Sequence, residues 1–131
     1  MSGPLIFNSR SRVKPGMVER YRAHIMAATE LVESEEPQLI AFNNYLSDDG
    51  TDVCTVQIHP DADSLDTHIK FYQERLMGLA LEALDTYELN VYGAPSKAAR
   101  EFLEQYAAQT PGLLLRELPV HEAGFLRPQP M

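Results

Sequence analysis

A change of hydrophobic period at residue 14 constrains this chain more than any other feature. Before it, "PLIFNSRSRV" alternates: Leu5, Phe7, Ser9 and Ser11 share one face, and Ile6, Asn8, Arg10 and Arg12 share the other. That two-residue period predicts a strand over about Leu5 to Val13. "KPG" then breaks the pattern, and Pro15 suits the first turn of a helix because its missing N–H costs nothing there. From about Gly16 to Glu35 the period is helical. Met17, Tyr21, Ile25, Ala28 and Val32 recur at steps of four, four, three and four, and Pro37 ends the run.

The same alternation of periods continues downstream. "QLIAFNNYLSDDGTDVCTVQIHP" places two strand-like runs around "SDDG", where Gly50 can take a positive φ, so a hairpin is expected. "PDADSLDTH" opens a second helix that Asp61 or Asp63 can cap. Its apolar stripe reads Leu65, Ile69, Tyr72, Leu76, Leu79 and Ala83, with Gly78 placed to bend or divide it. "TYELNVYG" predicts a fourth strand, and "PSKAAREFLEQYAAQ" a further helix started by Pro95 and Ser96. The tail after it has an apolar run fit for one more strand and then an extended arm.

Strand, helix, strand, strand, helix, strand is the split-βαβ, ferredoxin-like order. The expected fold is therefore α+β: an antiparallel sheet with helices on one face. It forms a single domain over 1–131, with a core at about 4–93 and an extra C-terminal helix and arm at about 95–131. The bare face of such a sheet needs water, a ligand or a second subunit. In the third strand Cys54, Val56 and Ile58 make the better helix-facing set. Val53, Thr55, Gln57 and His59 then join Asn8, Arg10 and Asn90 on a mixed second face suited to a cavity shared in a dimer. Plain solvent exposure serves these polar residues equally well.

Composition excludes several classes. The formal net charge is −8, from 19 acidic and 11 basic residues, and the basic residues are scattered, which argues against nucleic acid. No stretch approaches the ~20 apolar residues of a membrane span. "MSGPLIFNSRSRV" does not read as a signal peptide, and the lone cysteine, Cys54, fits a buried filler in a reducing cytoplasm. No two histidines stand at metal-ligand spacing and there is no cysteine pair, so no metal is expected. No phosphate-binding glycine loop or G-x-S-x-G is present.

The segment "HPDADSLDTHIKF", the "PG" before a long first helix and the hairpin together resemble the antibiotic biosynthesis monooxygenase family, within the dimeric α+β barrel superfamily. The resemblance spans roughly Leu5 to Gly93, with His68 in the position of that family's helix histidine. It implies a homodimer whose two sheets form a barrel, and a pocket in each subunit between sheet and helices. It also implies oxygenation of a phenolic or quinol-like molecule without metal or flavin. A base takes a proton, and the electron-rich carbanion reacts with dioxygen. Haem-degrading relatives share an asparagine like Asn8 and a histidine like His68. They also use a tryptophan, which this chain lacks.

His68 is the candidate base, since a neutral imidazole bordering an apolar stripe accepts a proton near physiological pH. A border histidine bonded to backbone is the plainer alternative. Asn8 and Arg10 could hold a substrate oxygen or carboxylate, or make sheet-surface or dimer contacts. Tyr72, four residues after His68, could stack on an aromatic ligand or form core. Gln57 and His59 join the candidate binding set, His59 at the pocket mouth. His24, next to Ile25 on the first helix, reads as partly exposed, and His121 lies in the tail beside Glu122. Two other functions fit the same pocket: a non-catalytic binding or accessory protein, and an isomerase or cyclase that works by proton transfer alone.

Overall fold

A computed structural model describes residues 3–127. The elements follow the expected order: β1 (Leu5–Val13), α1 (Val18–Glu35), β2 (Ala41–Leu46), β3 (Asp52–His59), α2 (Ala62–Phe71), α3 (Met77–Ala83), β4 (Leu84–Tyr92), α4 (Lys97–Gln109) and β5 (Leu114–Leu118). The sheet order is β2-β3-β1-β4-β5. Its first four strands are antiparallel in the ferredoxin-like arrangement, and β5 joins β4 in parallel. All the helices lie on one face.

Local chemistry explains the boundaries. Lys14 to Met17 form a tight turn, closed by the Met17 N–H donating to the Lys14 carbonyl at 3.0 Å. Gly16 sits there at φ 78°, so Pro15-Gly16 are the central pair of a type II turn and α1 starts only at Val18. Asp61 caps α2 by accepting from the Ser64 N–H at 2.9 Å. Ser96 caps α4 by accepting from the Ala99 N–H, and its hydroxyl donates to Asp66 at 2.6 Å, which ties α4 to α2. Gly93, at φ 108°, cannot carry a side chain: a Cβ there would lie 2.8 Å from the Pro4 carbonyl.

The second helical stretch breaks at Tyr72–Leu76, which form a π-helical turn, and not at Gly78. The Met77 N–H reaches back five residues to the Tyr72 carbonyl. Leu76 and Ala83 keep their expected places on the buried stripe, and only the position between them differs. Leu79, expected inside, is 47% exposed, and Ala80 faces the interior instead.

The faces of β3 are the reverse of the expectation. Val53, Gln57 and His59 are buried under the helices, while Cys54, Val56 and Ile58 lie on the outer face. Cys54 is accordingly half-buried on that outer face, not a filler of the helix-side core. The register carries the pattern across the sheet. Phe7 pairs with Gln57 and Ser9 with Thr55 on the inner side; Ile6, Asn8 and Arg10 lie on the outer side with Ile58, Val56 and Cys54. A bulge in β4 between its partners Arg10 and Ser11 puts Tyr87 on the outer face as well, where its hydroxyl donates to Asp52.

Among the described residues the interior has three apolar clusters. Leu5, Leu65, Leu89, Val91, Ala99 and Leu103 join β1, β4, α2 and α4. Tyr21, Val53 and Ala83 pack at the opposite end of the sheet, and Ala28, Val32 and Leu76 hold α1 to the π turn. Thus α4 belongs to the helical layer, and β5 widens the sheet. The chain beyond β5 curls beside Ile6, Tyr92 and Leu118.

Candidate functional site

Between sheet and helices lies a cavity of about 130 Å³. Phe42, Tyr72, Phe102 and Tyr106 give it apolar walls, and His68 and Gln57 open into it. His68 is held by α2, one residue off the apolar line of Leu65 and Ile69. Its ring is nearly buried, at 4% exposure, and packs 5.9 Å from the Phe42 ring.

Glu36 stands behind His68. It is the first residue past α1, stopped there by Pro37, and its side chain is buried. His68 Nδ1 lies 2.9 Å from Glu36 Oε2 and 3.1 Å from Oε1. A carboxylate only accepts, so Nδ1 carries the hydrogen and the neutral ring keeps its lone pair on Nε2. The carboxylate fixes tautomer and ring orientation, and leaves Nε2 as the nitrogen available to the cavity. It also stabilises the imidazolium once a proton arrives. This is the arrangement of a general base with an orienting carboxylate.

His59 has a different part. Its Nδ1 lies 2.7 Å from Ser64 Oγ and its Nε2 3.0 Å from Gln57 Oε1. Gln57 Oε1 accepts, so Nε2 is the protonated nitrogen and the Ser64 hydroxyl donates to Nδ1. Both nitrogens are satisfied. Burial, reinforced by the neighbouring His68 5.9 Å away and opposed by Asp61, pulls the His59 pKa down to about 4. His59 is therefore neutral, and it holds the Gln57 amide with its NH₂ free to donate into the cavity. Tyr72 is a cavity wall. Burial raises its phenol pKa, so it remains a protonated donor.

The sequence-predicted set divides in two. His68, Gln57 and Tyr72 line one cavity, with His59 directly behind Gln57. Asn8 and Arg10 lie across the sheet on the outer face and do not meet His68. Asn8 accepts from Asn90 at 2.7 Å, and Arg10 donates to Asp52 at 2.9 Å. The strand pattern had put them on the face opposite Phe7 and Ser9. Their separation from His68 follows once Phe7 and Ser9 are seen to line the cavity. Glu36 was missed. Its signal was its phase: it stands four residues after Val32, so a carboxylate continues the buried stripe of α1 and requires a partner. Among the described residues, no group of three His, Cys, Asp or Glu side chains is placed to hold a metal ion.

No family model matches the sequence, and no curated protein matches it. Solved structures do match in fold. MupZ from Pseudomonas fluorescens superposes with a TM-score of 0.72 at 17% identity, covering 96% of each chain, a span that takes in α4. A Bacteroides thetaiotaomicron protein provisionally described as an antibiotic biosynthesis monooxygenase gives a TM-score of 0.57 at 18% identity, covering 72% of this chain and 90% of that one. SnoaB from Streptomyces nogalater, described as a cofactor-independent oxygenase, gives 0.57 at 13% identity, covering 72% of this chain and 96% of SnoaB. The chain therefore has the ferredoxin-like fold of the antibiotic biosynthesis monooxygenases. Among the described residues, no helix is long and apolar enough to cross a membrane.

Proposed function

We propose that this protein is a cofactor-independent monooxygenase acting on a small phenolic or quinol-like molecule. The observation that carries the proposal is the buried His68–Glu36 pair, 2.9 Å apart, at the wall of an aromatic-lined cavity. His68 Nε2 takes the phenolic proton, and Glu36 holds the imidazolium. The Gln57 amide donates to the oxygen that gains charge. The ring carbon of the resulting anion gives an electron pair to dioxygen, forming a C–O bond and a peroxide anion, and the His68 imidazolium returns its proton to the terminal oxygen to give a hydroperoxide. Loss of the remaining hydrogen from that carbon, with O–O cleavage, leaves a quinone and one water. Substrate and dioxygen supply every atom and electron. The fold likeness to SnoaB supports this reading.

The second part of the proposal is a homodimer built on the outer face of the sheet. That face exposes Leu118 at 63%, Tyr45 at 61% and Leu114 at 46%, beside Ile6, Val56 and Ile58. Such an apolar patch is a contact surface. Asn8 and Arg10 serve there as dimer contacts, and the setting is cytoplasmic. Light scattering tests it: a dimer is expected, and a monomer at high micromolar concentration contradicts it.

Proton transfer without oxygenation is the second reading, because the dyad alone performs only acid–base chemistry. Oxygen-electrode assays over a panel of phenols and naphthols separate the readings. Oxygen uptake lost in His68→Gln supports the monooxygenase. Product without uptake points to an isomerase or cyclase, and binding without turnover to an accessory protein.

A further inference from the structure

The cavity has a second polar end that the His68 chemistry does not use. It is formed by Ser11 of β1, Thr86 of β4 and His24 of α1, all of which line the cavity. The two ends are well separated. Gln57 is in register with Phe7, and Thr86 with Ser11. Ser11 is four positions along the strand from Phe7, about 13 Å at ~3.3 Å per residue. Along α1, His24 precedes Glu36 by twelve residues, about 18 Å of helix. The cavity is thus elongated along the sheet: Phe7, Phe42 and Gln57 stand at one end, Ser11 and Thr86 at the other, and Ser9 and Thr55 line it between them.

The second end is unfinished. His24 Nδ1 is buried and has no hydrogen-bond partner among the described residues. Buried polar atoms are nearly always paired, and this orphan belongs to a ring that lines the cavity, within a small side-chain movement of a ligand there. Ser11 Oγ and Thr86 Oγ1 lie 2.9 Å apart. One hydroxyl donates to the other, and the second keeps its hydrogen for a ligand. Burial lowers the His24 pKa, so its ring is a neutral hydrogen-bonding group.

We infer that the ligand is an elongated arene with an oxygen function at each end: one hydroxyl is deprotonated at His68, and the far oxygen is held by His24 with Ser11 and Thr86. This deepens the proposed function and rests on it. His24 acts as a specificity-determining residue. It sets which end of the ligand reaches His68 and rejects molecules whose far end is apolar.

The test compares two probes of the same shape, 4-phenylphenol and 4,4′-dihydroxybiphenyl, by calorimetric titration of the full chain without oxygen. The wild type should bind the dihydroxy compound roughly tenfold more tightly, the scale of one well-made hydrogen bond. His24→Leu should abolish that preference and leave 4-phenylphenol within about twofold, which also reports that the fold is intact. His24→Asn, which returns an amide atom near the Nδ1 position, should restore much of the preference. Equal binding of the two probes by the wild type, or a preference untouched in His24→Leu, overturns the inference. If in that case His68→Gln still weakens 4-phenylphenol, the His68 reading stands alone. If neither probe binds the wild type, both fall.

Discussion

Nδ1 of His68 lies 2.9 Å from a carboxylate oxygen of Glu36, and both side chains are buried. His68 comes from α2 and Glu36 from the residue just past α1, 32 positions apart in the chain. A buried carboxylate with no partner is costly, so each residue keeps the other in place. Glu36→Gln retains an acceptor for Nδ1–H but removes the charge that stabilises the imidazolium. Turnover in that variant should fall by about 10²-fold or more, with a near-native thermal midpoint. Glu36→Ala leaves the imidazole N–H unsatisfied and should also cost ~1–3 kcal/mol of stability, read by urea unfolding.

His59 makes stability depend on pH in a definite direction. Its folded-state pKa is about 4 against an ordinary 6.5, so the unfolded chain binds the extra proton first. Stability from this group is fully present above pH ~6.5 and is lost as pH falls toward ~4. The loss should reach roughly 3 kcal/mol at most, and burial of His24 acts in the same direction. Urea midpoints measured from pH 7 to pH 4 should fall, and the fall should be shallower in His59→Gln. A flat profile over that range would contradict the neutral assignment.

Filling the cavity should separate binding from folding. Ala80 faces it from α3, one position past the residue that the helical period selects. Ala80→Leu adds atoms to a space already lined by apolar groups. Affinity for a phenol should drop by ~10-fold or more, while the thermal midpoint holds or rises.

Ser96 joins the last helix to the body through two bonds, as N-cap of α4 and as donor to Asp66. Ser96→Ala should cost about 1–2 kcal/mol in chemical denaturation with an unchanged m-value. A separate early transition would mean that α4 unfolds on its own.

Much of this fold is legible in the chain. The period switch at Lys14-Pro15-Gly16, the "SDDG" turn and the capping residues Asp61 and Ser96 mark the elements because each acts through local backbone chemistry. What periodicity cannot supply is which face of a two-faced strand turns inward. In β3 the more apolar set, Cys54, Val56 and Ile58, lies outside, and Gln57 and His59 lie inside. The helix side holds a polar network at a cavity, and the outer side has the character of a contact surface. The π turn was hidden for a related reason: Leu76, within it, and Ala83, beyond it, both stay on the buried stripe, and only the position between them differs, Ala80 in place of Leu79. Of the site, His68, Gln57 and Tyr72 were legible as residues. Their grouping, and the partnership of His68 with Glu36, depend on contacts between distant segments.

The most direct test of the central claim is proton transfer from a bound phenol to His68. 4-Nitrophenol reports its own ionisation by absorbance, so titrating it against the protein across neutral pH measures the apparent pKa of the bound phenol. The account predicts that binding lowers that pKa in the wild type, and that His68→Gln binds the phenol without lowering it. A bound phenol whose ionisation is unchanged by the protein, or is shifted equally in His68→Gln, would contradict the assignment of His68 as the base.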